Sequence, residues 1–236
     1  MRGRPWSVAT SGAVLRAAGD AQHFQVVLVV ADDDDPQHRR ALACVYSSKT
    51  GEWGNLVSIA LPSNVWVSLI MPAMLNNNSL YWQLNGVKFG VLEFDLERQR
   101  LAVIPMPPDL YATAICGFTV TWVEGGGIGF LIVSDFCAKL WKRVASCDGI
   151  ATWVLGRTIE LDKLLSLNLN PVREKGVIFI LGCAEENSVV FLSTSIGVFM
   201  VHLESLHFKK ITEPMVRAFL PFESVYTAGN NMPLQI

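Results

Sequence analysis

A pair of bulky apolar residues seven positions apart recurs along the chain and limits the folds that it can adopt. Polar turn residues separate the two members of each pair, and in the first copy Gly51 supplies the positive φ that a tight hairpin needs. The pattern therefore predicts two antiparallel strands with one apolar side chain on each arm. The three clear copies are Tyr46 with Trp53, Phe94 with Leu101, and Val201 with Phe208.

A strand-like apolar run precedes each hairpin, and a more divergent copy lies between the second and the last. The copies recur at about 50 residues, within the range of propeller blades. The runs are nearly continuous rather than alternating, as in sheets that are buried on both faces. A β-sandwich would also contain many short strands, but without a repeated spacing. We therefore expect an all-β fold, a β-propeller of antiparallel blades. The apolar runs are 24–30, 79–82, 129–133 and 188–192.

Composition indicates a folded chain and argues against two classes of partner. Of the 236 residues, 51% are hydrophobic and 17% are charged, so a long disordered region is not expected. The net charge of −2 argues against nucleic-acid binding, which requires a basic surface. The best apolar run, Val177–Leu181, predicts one buried strand and is far shorter than the ~18 residues that span a membrane. Only Ile159–Leu169 suggests a short amphipathic helix, which ends before Pro171.

The cysteines and the N-terminus indicate location and domain organisation. Five cysteines, an odd number without a Cys-x-x-Cys pair, favour a reducing compartment, the cytoplasm or the nucleus. The N-terminus is a poor signal peptide because Arg16, Gly19 and Asp20 interrupt its apolar segment. We predict an N-terminal segment at residues 1–22, interpreted as the remnant of an upstream blade, followed by a propeller domain at residues 23–236.

Three polar features suggest a ligand, but none has the spacing that the ligand requires. Asp32–Asp35 lacks the alternating ligands, glycine and distal glutamate of a calcium loop, and predicts a solvated hairpin loop. Gly125–Gly129 lacks the third glycine of a phosphate-binding pattern and precedes a strand, which predicts a flexible loop. His202 and His207 flank one hairpin turn without zinc-ligand spacing. We expect no metal and no cofactor.

Paired carboxylates are the one catalytic arrangement that the sequence suggests. Glu93 and Asp95 flank Phe94 on a strand, so both point to the same face. Together with Glu124 and Asp135 they supply the acids that a propeller glycoside hydrolase would need. An exposed strand face explains the same pattern, and the Gly-x-Ser-x-Gly nucleophile motif is absent from the sequence. We expect a protein without enzymatic activity, with a propeller hydrolase as the remote alternative.

The tryptophans fall into two groups. Trp66 and Trp122 lie away from the repeated positions, and we consider them candidate partner-binding residues, because exposed aromatic side chains dominate many protein interfaces. The tryptophans at repeated positions are expected to pack between blades. These are Trp53, Trp82, Trp141 and Trp153.

Several segments resemble one family. The segment Val45–Trp53 (VYSSKTGEW) resembles the VYSSxTGxW hairpin of plant F-box-associated β-propeller proteins, especially the large grass families. The order and spacing of the other similar segments make the resemblance more specific, and it covers nearly the whole chain from about Phe24 onward. These segments are 78–82, 92–96, 140–143, 153–161, 198–205 and 224–228.

The resemblance implies a non-catalytic propeller that selects a target protein for an SCF-type ubiquitin ligase. In that family an N-terminal F-box docks on the Skp1–cullin core, but residues 1–236 contain no Leu-Pro-rich helical segment of that kind. Skp1–cullin contact is therefore expected only if the full product carries an F-box. Four clear repeats also fall short of the usual ring, which predicts an incomplete propeller of about four to five blades. The alternative is a stand-alone or truncated interaction module without ligase docking.

Overall fold

The computed structural model describes most of the chain. The described residues are 10–17, 20–32, 39–68, 71–87, 89–107, 110, 117–123, 127–134, 136–145, 151–167, 177–184 and 188–213. Within these ranges the chain forms eighteen β-strands in four sheets and one short helix.

The four sheets follow one another along the chain, and each is built from one continuous stretch of strands. Sheet 1 contains β1 (Thr10–Ala17), β2 (Asp20–Asp32), β3 (Arg40–Ser47), β4 (Glu52–Trp53) and β5 (Val57–Ala60). Sheet 2 contains β6 (Val65–Val67), β7 (Met74–Asn76), β8 (Ser79–Gly86), β9 (Gly90–Asp95) and β10 (Arg100–Pro105). Sheet 3 contains β11 (Gly117–Val123), β12 (Gly127–Ser134), β13 (Cys137–Ala145) and β14 (Ala151–Glu160), followed by α1 (Leu161–Leu164). Sheet 4 contains β15 (Phe179–Ala184), β16 (Val189–Thr194), β17 (Gly197–His202) and β18 (Phe208–Thr212).

All four sheets have the same antiparallel, up-and-down design. Most neighbouring strands are consecutive in sequence, and sheets 3 and 4 contain four strands each. In sheet 1 the fourth position is divided between β4 and β5, which both pair with β3. In sheet 2 the first position is divided between β6 and β7, which both pair with β8. Four equivalent four-position sheets are the blades of a β-propeller, which confirms the expected fold class.

The apolar pairs that define the repeat are cross-strand partners. Tyr46 pairs with Trp53, Phe94 with Leu101, and Val201 with Phe208, each across the last hairpin of its sheet. Gly51, in the first of these turns, has the expected positive φ of 74°. The repeated spacing therefore reports the register of the third and fourth strands directly.

The second strands of the blades are buried on both faces. In β8, β12 and β16 most consecutive residues are buried, whereas the outer strand β14 is mainly exposed. Neighbouring sheets cover both faces of β8 and β12 and one face of β16, and one apolar cluster joins β2 and β3 to β8 and β9. Further clusters join β7–β10 to β11 and β12, and β12 and β13 to β16 and β17. The hydrophobic core therefore lies between the sheets rather than inside any one of them.

Polar contacts also join each sheet to the next. Trp82 Nε1 donates a hydrogen bond to Ser11 Oγ at 3.1 Å, from sheet 2 to sheet 1. Trp153 Nε1 of sheet 3 donates to the carbonyl oxygen of Pro105 at 2.8 Å, at the end of sheet 2. Both indole rings belong to the apolar clusters and have a hydrogen-bonded N–H group, as most buried tryptophans do.

Three sequence-based expectations were wrong in detail. The segment 177–181 is not uniformly buried, because Val177 and Phe179 are 46% and 52% exposed while Ile178 and Ile180 are buried. The helix expected over 159–169 is limited to α1, since Ile159 still pairs in β14. The glycine run does not end in a flexible loop: Gly129 lies in β12, where a Cβ would clash with Val123 and with the Trp141 carbonyl.

The predicted domain boundary falls within a strand. Residues 22 and 23 lie near the start of β2, and β1 pairs with β2 over most of its length. The division into a segment at 1–22 and a domain at 23–236 stays a prediction.

Trp82 provides a test of where the core lies. Its side chain is fully buried, whereas Trp66 is 45% exposed. We expect Trp82→Ala to lower the free energy of unfolding by about 3–5 kcal/mol, because it leaves a cavity and an unpaired Ser11 hydroxyl. Trp66→Ala should cost about 1 kcal/mol or less. Urea unfolding followed by circular dichroism measures both, and equal losses would contradict the assigned core.

Candidate functional site

An open cleft lies between sheets 3 and 4. It has a volume of about 340 Å³ and falls in the size range of small binding pockets. Sheet 3 supplies one wall from three strands, and sheet 4 supplies the other from the start of β16 and the turn after β17. The lining residues are Trp122, Val123, Leu140, Lys142, Gly156, Arg157, Ser188, Leu203 and Glu204.

Local backbone features leave this space open. The register of β13 and β14 shifts between Leu140 and Trp141, which changes the alignment of the strands beside the cleft. Gly156 then faces Lys142, and a Cβ at Gly156 would stand 3.2 Å from Lys142 Cε. The aliphatic part of Lys142 therefore lies over a position without a side chain, and any larger residue at 156 would extend into the cleft.

Arg157 holds the two walls together. Its Nη1 donates hydrogen bonds to the carbonyl oxygens of Leu203 at 2.8 Å and Glu204 at 2.7 Å. Ser188 Oγ donates to Glu204 Oε1 at 3.1 Å and so fixes the same turn. Arg157 therefore joins β14 to the turn after β17 in sheet 4. Hydrogen bonds from a charged donor are stronger than those from a neutral donor. The cleft is thus preformed, with little freedom left in its polar wall.

The chemistry of the cleft suits binding of a protein segment. Trp122, Val123, Leu140 and Leu203 give it apolar surface, while Lys142 adds a cation at its edge. An apolar pocket with a few fixed polar groups is the usual design of a recognition site.

Trp122 forms part of the cleft wall rather than a protruding anchor. It is half-buried and packs against the cluster between sheets 2 and 3. Its Nε1 is buried and has no hydrogen-bond partner among the described residues. Trp122 also lines a second cavity of about 30 Å³, close to where Thr121 Oγ1 and Cys183 Sγ lie 3.3 Å apart. A cavity of that size can hold about one water molecule.

Trp66 lies on a different surface. It occupies the middle of β6, between the buried residues Val65 and Val67, and its side chain is 45% exposed. Val87, which is 72% exposed, donates a backbone hydrogen bond to the Asn64 carbonyl beside it. Trp66 lies at the start of the first strands of sheet 2, whereas Trp122 lies near the end of the first strand of sheet 3. The structure therefore does not bring the two candidates together.

The tryptophans expected between blades divide into two groups. Trp82 is fully buried, and Trp141 and Trp153 are partly buried beside Phe130. Trp53 is 51% exposed, so its expected position in the core was wrong. Its side of sheet 1 contributes to none of the apolar clusters of the described residues, although its pairing with Tyr46 follows the repeat.

The acids considered for catalysis have structural contacts. Glu93 Oε1 accepts a hydrogen bond from Tyr81 Oη at 2.9 Å. Asp95 accepts backbone hydrogen bonds from Glu97 and Arg98 and forms an ion pair with Arg98 at 2.9 Å, which closes the β9–β10 turn. These hydrogen bonds from Arg98 lower the pKa of Asp95. The other two acids, at positions 124 and 135, lie outside the described residues.

The structure gives no support for a ligand at the remaining sequence motifs that it describes. The backbone N–H of His202 donates to the His207 carbonyl at 2.9 Å, which places both residues in an ordinary turn. Asp33–Asp35 lie outside the described residues. In the described part of the chain, no group of histidine, cysteine and acidic side chains is arranged to bind a metal. Its one helix is too short to cross a membrane.

The sequence matches the family model described as "F-box protein AT5G49610-like, beta-propeller" over residues 6–225. Among solved structures, the chain is similar to the WD40 domain of SCAP from fission yeast, with 11% sequence identity and a TM-score of 0.42. That similarity covers 83% of this chain and 51% of the yeast chain, so the chain spans about half the length of that structure. No curated protein matches the sequence.

Tyr81 provides a pH test of the contact between Tyr81 and Glu93. Burial, followed by the negative charge of Glu93, raises the pKa of Tyr81 to about 12 from its ordinary value of 10.0. A raised pKa in the folded state means that this stabilisation is complete below pH 10 and is lost as the pH rises toward 12. The urea midpoint should fall more between these pH values in the wild type than in Tyr81→Phe. Equal falls would contradict the burial of the Tyr81 phenol together with its contact to Glu93.

Proposed function

Because the chain belongs to the family of F-box protein AT5G49610-like β-propellers, we propose that it selects a target protein for a ubiquitin ligase of the Skp1–cullin type. The family match and the four-sheet architecture make the chain a propeller module for protein interaction. Selection of a ligase substrate is the finer role that we propose for it. Its contribution is recognition, and the chemistry of ubiquitin transfer belongs to other subunits.

The cleft between sheets 3 and 4 is the observation that carries this proposal. Its apolar surface can accommodate one large side chain of a target, and Lys142 can attract an acidic group beside it. Arg157 keeps the walls in place before binding, which reduces the entropy lost on association. The preferred target segment is therefore apolar with an adjacent acidic residue.

Trp66 and Val87 form a second contact surface of the proposal. Trp66 lies on β6, and Val87 lies beside it, where its N–H donates to the Asn64 carbonyl; an aromatic ring has few rotatable bonds to fix on binding. A target that contacts both Trp66 and the cleft would have to extend from one end of the blades to the other. We assign the principal contact to the cleft, because it offers a concave surface.

Ligase docking and cellular location complete the proposal. Contact with Skp1 and cullin requires an F-box, which the complete gene product would have to supply. The free thiols of Cys44 and Cys137 support a reducing compartment, the cytoplasm or the nucleus.

A filled cleft should abolish target binding without unfolding the protein. Gly156→Leu places a side chain over Lys142, while Thr158→Leu changes an exposed residue of the same strand outside the cleft. We expect co-precipitation from cells to recover a common set of proteins with the wild type and with Thr158→Leu, and Gly156→Leu to lose at least one abundant member. An identical set for all three proteins would contradict the assignment of the cleft.

The ligase role makes a separate prediction. The complete gene product should co-purify with Skp1, and the protein lost with Gly156→Leu should accumulate in ubiquitin-modified form when the proteasome is inhibited. Capture of that protein without Skp1 and without a change in its modification would instead indicate a stand-alone interaction module.

A further inference from the structure

The outer edge of sheet 3 is open. β14 is the last strand of that sheet, and no other strand of the described residues pairs with its outer side. Its register with β13 shifts only opposite Gly156, so Ala151–Leu155 forms an unbroken row. Val154 and Leu155 in this row are 50% and 45% exposed. The unpaired N–H and C=O groups of such an edge are a template for another extended chain.

The last strands of the other three sheets carry features that discourage such pairing. In sheet 1 this position is divided between β4 and β5, which contain two and four residues. In sheet 2, β10 ends at Pro105, which has no N–H group to donate. In sheet 4, Lys209 and Lys210 lie within β18 and are exposed. Short strands, proline and lysine are the usual protections of an edge, and Ala151–Leu155 contains no proline and no charge.

The open edge is continuous with the cleft between sheets 3 and 4. Leu140 and Lys142 line the cleft from β13, and Val144 lies two residues further along the same face. Val154 is the cross-strand partner of Lys142, so it lies on that face as well. Val144 is 46% exposed, and with Val154 it extends the apolar wall of the cleft to the edge of the sheet. A strand added to β14 would therefore place alternate side chains over these valines and beside the cleft.

The charges beside this edge indicate the partner. β13 and β14 contain one acidic residue, Glu160, whose carboxylate forms an ion pair with Lys163 of α1. Glu204 belongs to the opposite wall of the cleft, where Ser188 donates to its carboxylate. The cationic residues of β13 and β14 are Lys139, Lys142, Arg143 and Arg157. An acidic segment is therefore attracted, whereas pairing of this edge with the same edge of a second copy would bring like charges together.

We propose that the target segment binds as an additional β-strand on the edge Ala151–Leu155, with apolar side chains toward the cleft and acidic ones among them. The inference rests on the proposed function, because the bound strand is the segment of the target that the propeller selects. Backbone hydrogen bonds supply the affinity, and side chains at alternate positions supply the specificity, as in other complexes formed by strand addition.

A synthetic hexapeptide of alternating valine and glutamate, blocked at both ends, tests this binding mode. Titration into the isotope-labelled full chain should shift the amide NMR signals of Ala151–Leu155 and leave those of Lys209 and Lys210 unchanged. We expect a dissociation constant on the order of 100 µM, from a few backbone hydrogen bonds and the apolar contacts. A peptide of alternating valine and lysine should bind about tenfold more weakly or less, because its charges are repelled.

N-methylation of the valine–glutamate peptide separates strand addition from contact by side chains alone. Successive N–H groups of a strand point to opposite sides, so methylation of either all valine or all glutamate nitrogens blocks one side only. The set that faces β14 should weaken binding about tenfold or more, because its hydrogen bonds are lost. The other set faces solvent and should leave binding within about threefold of the unmodified peptide.

Val154→Glu provides the corresponding test on the protein. It adds a negative charge beside the bound strand and should weaken binding of the valine–glutamate peptide about tenfold or more. Val177→Glu is the matched control, since Val177 is 46% exposed before β15 and is not among the residues that line the cleft. This control should bind the peptide like the wild type. Circular dichroism verifies that both variants fold.

Four results would overturn the proposal. The first is the absence of any shift at Ala151–Leu155 with about 1 mM valine–glutamate peptide. The second is equal weakening by the two N-methylated peptides, and the third is equal binding by Val154→Glu and Val177→Glu. The fourth is a shift of the same amides with protein concentration in the absence of peptide, which would assign the edge to a second copy. The effect of Gly156→Leu on target capture is measured separately, so this inference can fail while the proposed function stands.

Discussion

Each sheet of this protein depends on a neighbour to cover its apolar faces. Strands β8, β12 and β16 are buried on both sides, so a blade in isolation would expose two hydrophobic surfaces to water. At about 25 cal/mol for each Å² of apolar surface, the covering of these faces is the dominant favourable term in folding. The blades can therefore be stable only as a stack, and the junctions between sheets contain the core and, between sheets 3 and 4, the cleft.

The same constraint explains the polar contacts between sheets. Stacked sheets have no backbone hydrogen bonds to one another, so side chains have to fix their relative positions. Trp82 and Trp153 perform this role with their indole N–H groups, and Arg157 does so with its guanidinium group. Arg157 differs from the two tryptophans in one respect. The two sheets that it joins do not pack together completely, and the space between them is the cleft. A binding site at a junction gains rigid walls from the two sheets that form it.

Most of the repeat, but only part of the cleft, could be predicted from the sequence. The pairs seven residues apart predicted cross-strand partners correctly, because a short hairpin turn determines the register of its strands. The first strands of sheets 1 and 2 were missed: β6 and β7 are only three residues each, and Gly12 and Arg16 interrupt the apolar pattern of β1. Strands this short and irregular have no periodicity that can be recognised.

The candidate residues show the same limit. Trp122, which its off-repeat position made a candidate, lies in one wall of the cleft, and its role in partner binding stays a prediction. Gly156, Arg157 and Leu203 could not be connected to it, because a bulge in sheet 3 and the stacking of sheet 4 bring them together. The exposure of Trp53 could not be anticipated either, because the repeat determines only its pairing with Tyr46. At the same repeat position Phe208 is 45% exposed, whereas Leu101 is buried.

Hydrogen–deuterium exchange of the full chain at about 1 µM and about 100 µM tests most directly whether each sheet needs a neighbour to cover its apolar faces. Amides of β8 and β9, which lie in a sheet covered on both sides, should exchange slowly at both concentrations. Amides of β2 and β3, whose face away from sheet 2 is only partly buried, should exchange faster than these at both concentrations. Equal protection of sheets 1 and 2 at the low concentration would contradict the account.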